Sequence, residues 1–169
     1  MAFNAFIQFK GPDINGGCTV AKQEGKSQIT SLSHGCAQPT SPVRSHAGGG
    51  TIEKANHGDL TFTKELDSAT DDLLKQCWTG KHIDVAIVTL FRSTGDADDV
   101  SGTEFLRIEM DSVIVSSYSI SASESQFPHE VISLAYGKVT YTYTGHDRSK
   151  GTTGSAQPVY HDLRDHTIG

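Results

Sequence analysis

Histidines are the most obvious candidates for chemistry in this sequence, because imidazole binds transition metals and titrates near neutral pH. The chain has eight of them in 169 residues. His46, His57 and Asp59 lie close together in sequence, with His34 upstream. Zinc ligands follow characteristic spacings that let three or four side chains converge, and these residues match none of them. We interpret them as loop-surface histidines and expect no metal and no cofactor.

A thiol beside an imidazole could act as a nucleophile with its base. Cys36 stands two positions after His34, but side chains this close on one strand are poorly directed for such a pair. We therefore interpret His34 as a structural residue at a strand end. The other thiols, Cys18 and Cys77, complete an odd count that fits neither a metal motif nor a purely internal disulfide framework. We expect no catalytic residue and no enzymatic activity.

Two polar segments imitate ligand-binding loops. Gly48-Gly49-Gly50-Thr51 lacks the lysine-containing frame that a phosphate-binding loop needs. Asp96-Ala97-Asp98-Asp99 has the acidity of a calcium loop without the rest of its twelve-residue pattern, so we interpret it as a solvated turn.

The charge of the chain limits the partners that it can attract. Its formal net charge of −6 makes it a poor partner for nucleic acid or an anionic membrane. Trp78, Tyr141 and Tyr143 are accordingly interpreted as core and interface aromatics, not as a platform for stacking nucleotide bases. The N-terminus lacks the pattern of a signal peptide, and the longest apolar stretch, 85–91, is too short for a membrane span. We expect folding in the cytoplasm and export, if any, without the general secretory signal, with no membrane insertion.

Short alternating segments dominate the rest of the sequence and predict strands. Apolar residues at every second position indicate a first strand over Phe3–Phe9. The segment His82–Arg92 is apolar on both faces, which is typical of a strand covered on both sides. Further strands are predicted at 28–33, 60–66, 105–115, 113–120 and 131–143, with a bend at Asp111-Ser112 and a loop over 121–128.

One helix is predicted over Asp71–Thr79. Ser68 and Thr70 are candidate N-caps, and acidic residues in the first turn suit the helix dipole. A helix this short needs tertiary packing, for which we predict that Leu74 and Trp78 dock onto the sheet.

The length of the chain indicates one domain. Many strands and one short helix favour a mainly β fold, an antiparallel barrel or sandwich with the helix on one flank. We predict a β-barrel domain over residues 1–145 and a polar, mobile tail over residues 146–169. The segment 38–56 contains two prolines and the triple glycine and is read as a long loop, which in a compact domain is usually functional or disordered.

A set of short motifs, in one order along the chain, resembles the hemolysin-coregulated protein (Hcp) family from residue 1 to about residue 145. The segment Phe62-Thr63-Lys64-Glu65-Leu66-Asp67, followed by a leucine pair, is the most specific match. The other similar segments are residues 1–7, 32–35, 38–39, 80–82, 113–117 and 131–134. The chain departs from the family at Asp71, where a proline is frequent, and over 13–18, a loop that faces neighbouring subunits in the family.

The resemblance implies an antiparallel β-barrel with one short flanking helix that assembles into hexameric rings. In the family, these homo-hexamers stack into a tube inside a contractile sheath, and sheath contraction expels the tube behind a VgrG-like spike protein. The lumen can hold small effector proteins. By analogy, the long loop would carry inter-ring or inter-subunit contacts through Pro42, Val43, Arg44, Gly48, Gly49 and Gly50. The alternative is a monomeric β-domain that binds a peptide or a carbohydrate.

Overall fold

The structure is a computed structural model that describes residues 3–40, 54–92, 102–147, 151–152 and 156–169. These ranges contain one helix, α1 (Thr70–Thr79). Their strands are β1 (Phe3–Lys10), β2 (Ser27–Ser33), β3 (Cys36–Ala37), β4 (Asn56–His57), β5 (Leu60–Glu65), β6 (Ile83–Arg92), β7 (Thr103–Ser123), β8 (Gln126–Ala135), β9 (Lys138–Tyr143), β10 (His146–Asp147), β11 (Gly151–Thr152), β12 (Pro158–Asp162) and β13 (Thr167–Ile168).

Six antiparallel strands close into a barrel. Their order is β7-β6-β1-β2-β5-β8, and a further pairing between β7 and β8 joins the first of these strands to the last. The strands β9, β12 and β13 continue the sheet outward from β7. Closure pairs the strands that would otherwise be the barrel's edges. The predicted mainly β fold with one short helix is confirmed.

The long strand β7 allows one segment to serve both the barrel and the outer sheet. Its first part pairs with β6 and β9, and its second part, from Ile114, pairs with β8. Ser112 lies between the two parts with a positive φ of 53°, which marks the bend. The sequence predicted two strands with a bend at Asp111-Ser112. The structure instead runs a single strand through that bend, and the predicted loop over 121–128 shrinks to a turn at 124–125.

The core fills the inside of the barrel with apolar side chains from every barrel strand and from the helix. Its fully buried members include Ile7, Phe62, Leu60, Leu73, Ile83, Val88, Met110, Val113, Ile132 and Leu134. The strand β6 is also buried on its outer face, where Phe91 meets Phe6 edge to face at 5.8 Å between ring centroids. The predicted coverage of this strand on both sides is therefore confirmed.

The helix docks through a different stripe of residues from the predicted one. Ala69 and Leu73 are fully buried and Cys77 packs against the core, whereas Trp78 is 78% exposed and Leu74 only half-buried. The prediction that Leu74 and Trp78 dock is wrong. The pairs Leu73/Cys77 and Leu74/Trp78 both have the i, i+4 spacing of an apolar stripe. The buried Ala69 extends only the Leu73/Cys77 stripe.

Neither predicted residue caps the helix. The N-cap is Ala69, which makes no side-chain cap hydrogen bond. Its backbone N–H is instead bonded to the carboxylate of Asp67 (2.9 Å), while the Ser68 hydroxyl donates to the Asn15 carbonyl (2.7 Å). Thr70 accepts from the Asp67 N–H through its hydroxyl. The entry to the helix is thus fixed by the preceding aspartate.

The segment predicted as a polar tail contains strands of the main sheet. Five residues of β12 pair with β9, and β13 folds back on β12. Tyr160 and Gly169 exchange backbone hydrogen bonds beyond β13. Local sequence pattern does not reveal these strands, because they are short, polar and largely exposed. The predicted contact loop, Pro42, Val43, Arg44, Gly48, Gly49 and Gly50, lies outside the described residues.

Candidate functional site

Five histidine and tyrosine side chains form a continuous series of hydrogen bonds, which we call the histidine–tyrosine chain. The Tyr141 hydroxyl bonds His34 Nδ1, and His34 Nε2 lies 2.5 Å from the Tyr136 hydroxyl. That hydroxyl lies 2.9 Å from His57 Nδ1, and His57 Nε2 lies 2.8 Å from His161 Nδ1. The chain therefore has five members and four links.

The fold brings these side chains together from distant parts of the sequence. His34 follows the end of β2, His57 ends β4, and Tyr136 follows β8. Tyr141 and His161 lie on β9 and β12, which pair side by side, and they share one face because Val139 is opposite His161 in the register. The prediction that His34 is a structural residue at a strand end is confirmed, since both of its ring nitrogens are bonded to tyrosines.

Burial favours the uncharged forms of four members of this chain. It lowers the pKa of His34, assisted by the nearby His57, and it lowers the pKa of His57, assisted by His161. It raises the pKa values of Tyr136 and Tyr141 above the usual range. A partly desolvated imidazole holds a proton less readily, so His34 and His57 favour the neutral form more than a free imidazole does.

A cleft of about 420 Å³ opens beside the chain. One wall is the face of β9, β12 and β13, and the other is formed by His34, β3 and β4. The lining includes His57, His161, Tyr141, Val159 and Ile168. The cleft therefore combines an apolar surface with imidazoles.

The structure separates most of the candidates that the sequence placed together. His57 lies in the histidine–tyrosine chain, while Asp59 accepts a hydrogen bond from the Ser116 hydroxyl at 2.5 Å; His46 lies outside the described residues. Among the residues that the structure describes, no three His, Cys, Asp or Glu side chains converge as metal ligands. Cys36 is exposed, and the nitrogens of His34 are both taken by tyrosines, so the two do not form a nucleophile–base pair.

A second polar cluster, at the other end of β5 and β8, was missed by sequence reasoning. Lys64 and Glu130 are both fully buried and form a salt bridge across the two strands. Lys64 also donates to Asp67 at 2.6 Å, and Glu130 accepts from Tyr118 (2.6 Å) and Thr70 (3.2 Å). The available signal was an alternating pattern that places Lys64 on the buried face of β5, between Phe62 and the helix.

Large apolar side chains are exposed in three separate places, of which one is the β7–β8 hairpin with Ile120 and Phe127. Trp78 stands out from the helix, and Tyr143, Val159 and Ile168 share the cleft-side face of β9, β12 and β13. Each is more than half exposed. Residues of this type on a surface often mark contacts with another protein.

No helix in the described part of the chain combines the length and the apolar character that crossing a membrane requires.

Comparison with known proteins places this barrel among proteins of type VI secretion systems. A solved structure described as that of a type six secretion system protein superposes with a TM-score of 0.88 at 24% identity, covering 99% of this chain and all of the other. Hcp1 from Salmonella typhimurium superposes with a TM-score of 0.77 at 22% identity over the whole of both chains. These two likenesses establish the fold.

The sequence itself identifies the family. The profile of the family described as "Type VI secretion system effector, Hcp" matches residues 6–143. Protein hcp1 of Pseudomonas aeruginosa is 33% identical over 91 residues, which is 53% of this chain and 54% of that protein. The alignment thus spans about half of that relative. The chain belongs to the Hcp family of the type VI secretion system.

Proposed function

We propose that this chain is the structural tube subunit of a type VI secretion system, assembling into six-membered rings that stack. The observation that carries the proposal is the family match over residues 6–143, which includes the helix and every barrel strand except the first three residues of β1. The tube would be driven out of the cell by a contracting sheath, behind a spike protein, and its lumen would hold small effector proteins. We assign the chain no catalytic role.

The distribution of apolar surface supports assembly. A ring with cyclic symmetry joins each subunit to the next through two different patches, one on each side of the contact. Trp78 on the helix and the exposed group Tyr143, Val159 and Ile168 on the outer sheet supply two such patches on different elements. A monomer would leave both in water.

The test is the mass and shape of the purified full-length chain in solution, by size-exclusion chromatography with light scattering and negative-stain imaging. A ring of six has a mass of about 109 kDa, six times the 18.1 kDa of one chain. Annular particles of that mass support the proposal. A monomer at every concentration tested would overturn it and favour a β-domain that binds a peptide or a carbohydrate in its loops.

A further inference from the structure

Two side-chain links join the C-terminal hairpin, β12–β13, to the segment that carries β4. His57 Nε2 lies 2.8 Å from His161 Nδ1, and Lys54 Nζ lies 3.0 Å from His166 Nε2. Both links depend on an uncharged imidazole nitrogen that accepts or shares a single hydrogen.

Among the described residues, few other contacts hold the hairpin on this side. Val159 and Ile168 are 60% and 71% exposed, so few apolar contacts anchor its inner face. On the other side, β12 pairs with β9, and Lys138 Nζ lies 4.6 Å from the centre of the Tyr160 ring. Within the described ranges, the polar links therefore attach the hairpin to the opposite wall of the cleft.

The histidine–tyrosine chain can hold only a limited number of protons. Each of its four links needs one hydrogen, and when all the rings are neutral the five exchangeable hydrogens fill the links and one end. The Tyr136 hydroxyl can donate within the chain or to the Gly58 carbonyl, so a proton added to His34 or to one ring of the His57–His161 pair is accommodated. When both His57 and His161 are protonated, two N–H groups and two positive charges face each other at 2.8 Å, and that link breaks.

The second link also requires an uncharged imidazole nitrogen. The Lys54 ammonium can only donate, so His166 Nε2 must accept. A proton on that nitrogen would face the ammonium with two like charges 3.0 Å apart, and the contact would be lost.

We propose that these two links form an acid-labile clasp, which holds the C-terminal hairpin against the β4 segment at neutral pH and releases it on acidification. The hairpin contributes Val159, Tyr160, His161 and Ile168 to the cleft, so its release opens the cleft along one wall.

The lowered pKa values of His34 and His57 also favour a loss of stability at low pH. Burial lowers the pKa of His34 and of His57, so the unfolded chain binds more protons than the folded chain between the lowered and the usual pKa. The stabilisation is complete above the usual value, about 6.5, and is lost as the pH falls through the lowered one.

The other titratable groups around the clasp do not replace these links. Cys36 and Asp59 lie near Tyr136, and Asp59 is bonded to Ser116. On the hairpin and its neighbours, Asp162 pairs with Arg164 and Asp165 with Thr167, while Lys138 and Asp111 lie on the adjoining strands. Within the described ranges, no carboxylate is bonded to His57, His161 or His166 that would compensate an added charge.

The experiment is hydrogen exchange of the full-length protein, read by mass spectrometry and corrected for intrinsic rates, at pH values of about 7.5 and 5.5, on either side of histidine titration. We expect the protection of residues 158–169 to fall by about tenfold or more at the lower pH, while β6 is unaffected. In the double variant His161→Gln/His166→Gln, the glutamine oxygens can still accept from His57 Nε2 and from the Lys54 ammonium, and neither side chain can take up a proton. The loss of protection should then shrink by at least about threefold.

Two controls make the outcome decisive. His82→Gln alters an exposed histidine just before β6 and should keep the full pH response. Should this double variant weaken the hairpin at both pH values, His57→Gln/His166→Gln, which replaces the other ring of the His57–His161 link, serves as the second variant and should also reduce the pH dependence.

Three results would overturn the proposal. The first is a hairpin equally protected at both pH values. The second is a pH response that is the same in wild type and in both double variants, which light scattering on the same samples would trace to dissociation of an assembly. The third is loss of protection at pH 7.5, the neutral condition above, on adding EDTA, since that would mean a metal and not a proton holds the clasp.

Discussion

Lys64 and Glu130 face each other across β5 and β8 as directly opposed residues, and both are fully buried. Their salt bridge closes one end of the barrel, where the strands meet the start of the helix. The Lys64 ammonium also donates to the Asp67 carboxylate, and the Tyr118 hydroxyl donates to the Glu130 carboxylate. An ion pair without access to water survives only with such additional partners, because each charge has lost its hydration.

Removing one partner of this pair should destabilise the fold strongly. In Lys64→Met the Glu130 carboxylate remains buried without its cation, for which we expect a loss of about 3–5 kcal/mol in the free energy of unfolding. The double variant Lys64→Met/Glu130→Leu should be more stable than that single variant, since apolar replacements leave no buried charge. Urea denaturation followed by circular dichroism measures both. A double variant less stable than Lys64→Met would contradict this account.

Acid should weaken the same region through Asp67. Burial raises the pKa of this carboxyl, but hydrogen bonds from Lys64 and from the Ala69 N–H outweigh burial and leave it below its usual value. The folded chain therefore releases this proton more readily, so the stabilisation is present above about pH 4 and is lost as the pH falls through the lowered pKa. Asp67→Asn should flatten the dependence of stability on pH below about 4. If stability falls as steeply below about pH 4 in Asp67→Asn as in the wild type, Asp67 does not contribute to the acid sensitivity.

The sequence predicted the strands that alternate clearly and missed the features that depend on distant partners. The alternation over 3–9 and the apolar segment 82–92 correspond to β1 and β6, whose burial is decided by their own residues. The docking face of the helix was predicted wrongly because Leu73/Cys77 and Leu74/Trp78 have the same spacing. Only the barrel end on which the helix lies distinguishes them.

The candidate site shows the same division. His34 and His57 were recognised as notable, but His161 was missed because it lies 104 residues beyond His57 and stands in a segment read as a tail. Likewise, the segment 62–67 carried the family resemblance without revealing that its Lys64 is buried against Glu130. Pairing across a closed barrel is set by topology, which local periodicity does not contain.

Gly16 is required by close approach of the backbone. A Cβ at this position would lie 2.3 Å from the carbonyl of Lys26, in the loop where Gly16 also bonds Gly25 (2.9 Å). We expect Gly16→Ala to lower the free energy of unfolding by about 1–3 kcal/mol through steric strain. Gly35→Ala is the matched control, because a Cβ there has no atom within 4 Å. Thermal unfolding of the two variants side by side checks this, and equal losses would refute it.

Trp78 should matter for assembly and not for folding. Its side chain is 78% exposed, so Trp78→Ala should change the free energy of unfolding of the single subunit by no more than about 0.5 kcal/mol. At a ring contact, however, loss of a tryptophan costs about 2 kcal/mol or more, equivalent to roughly 30-fold in the dissociation constant. Light scattering over a dilution series gives that constant. Lys75→Ala, also exposed on the same helix, is the control that should leave it unchanged.

The segment that contains Pro42, Val43, Arg44 and Gly48–Gly50 is predicted to form a loop that carries contacts between stacked rings. The six residues lie between β3 and β4 in sequence, so a change there leaves the barrel strands intact. Deletion of residues 42–50 should abolish tubes in negative-stain images while rings persist, because contacts within a ring would come from other surfaces.

A second variant separates the length of this loop from its side chains. Replacing residues 42–50 with glycine and serine at equal length keeps the spacing of β3 and β4 and removes Pro42, Val43 and Arg44. If stacking depends on those side chains, this variant should also form rings and no tubes. Tubes from the replacement but not from the deletion would assign the loop a spacer role. Tubes from both would exclude residues 42–50 from the stacking contact and assign that contact to another part of the chain.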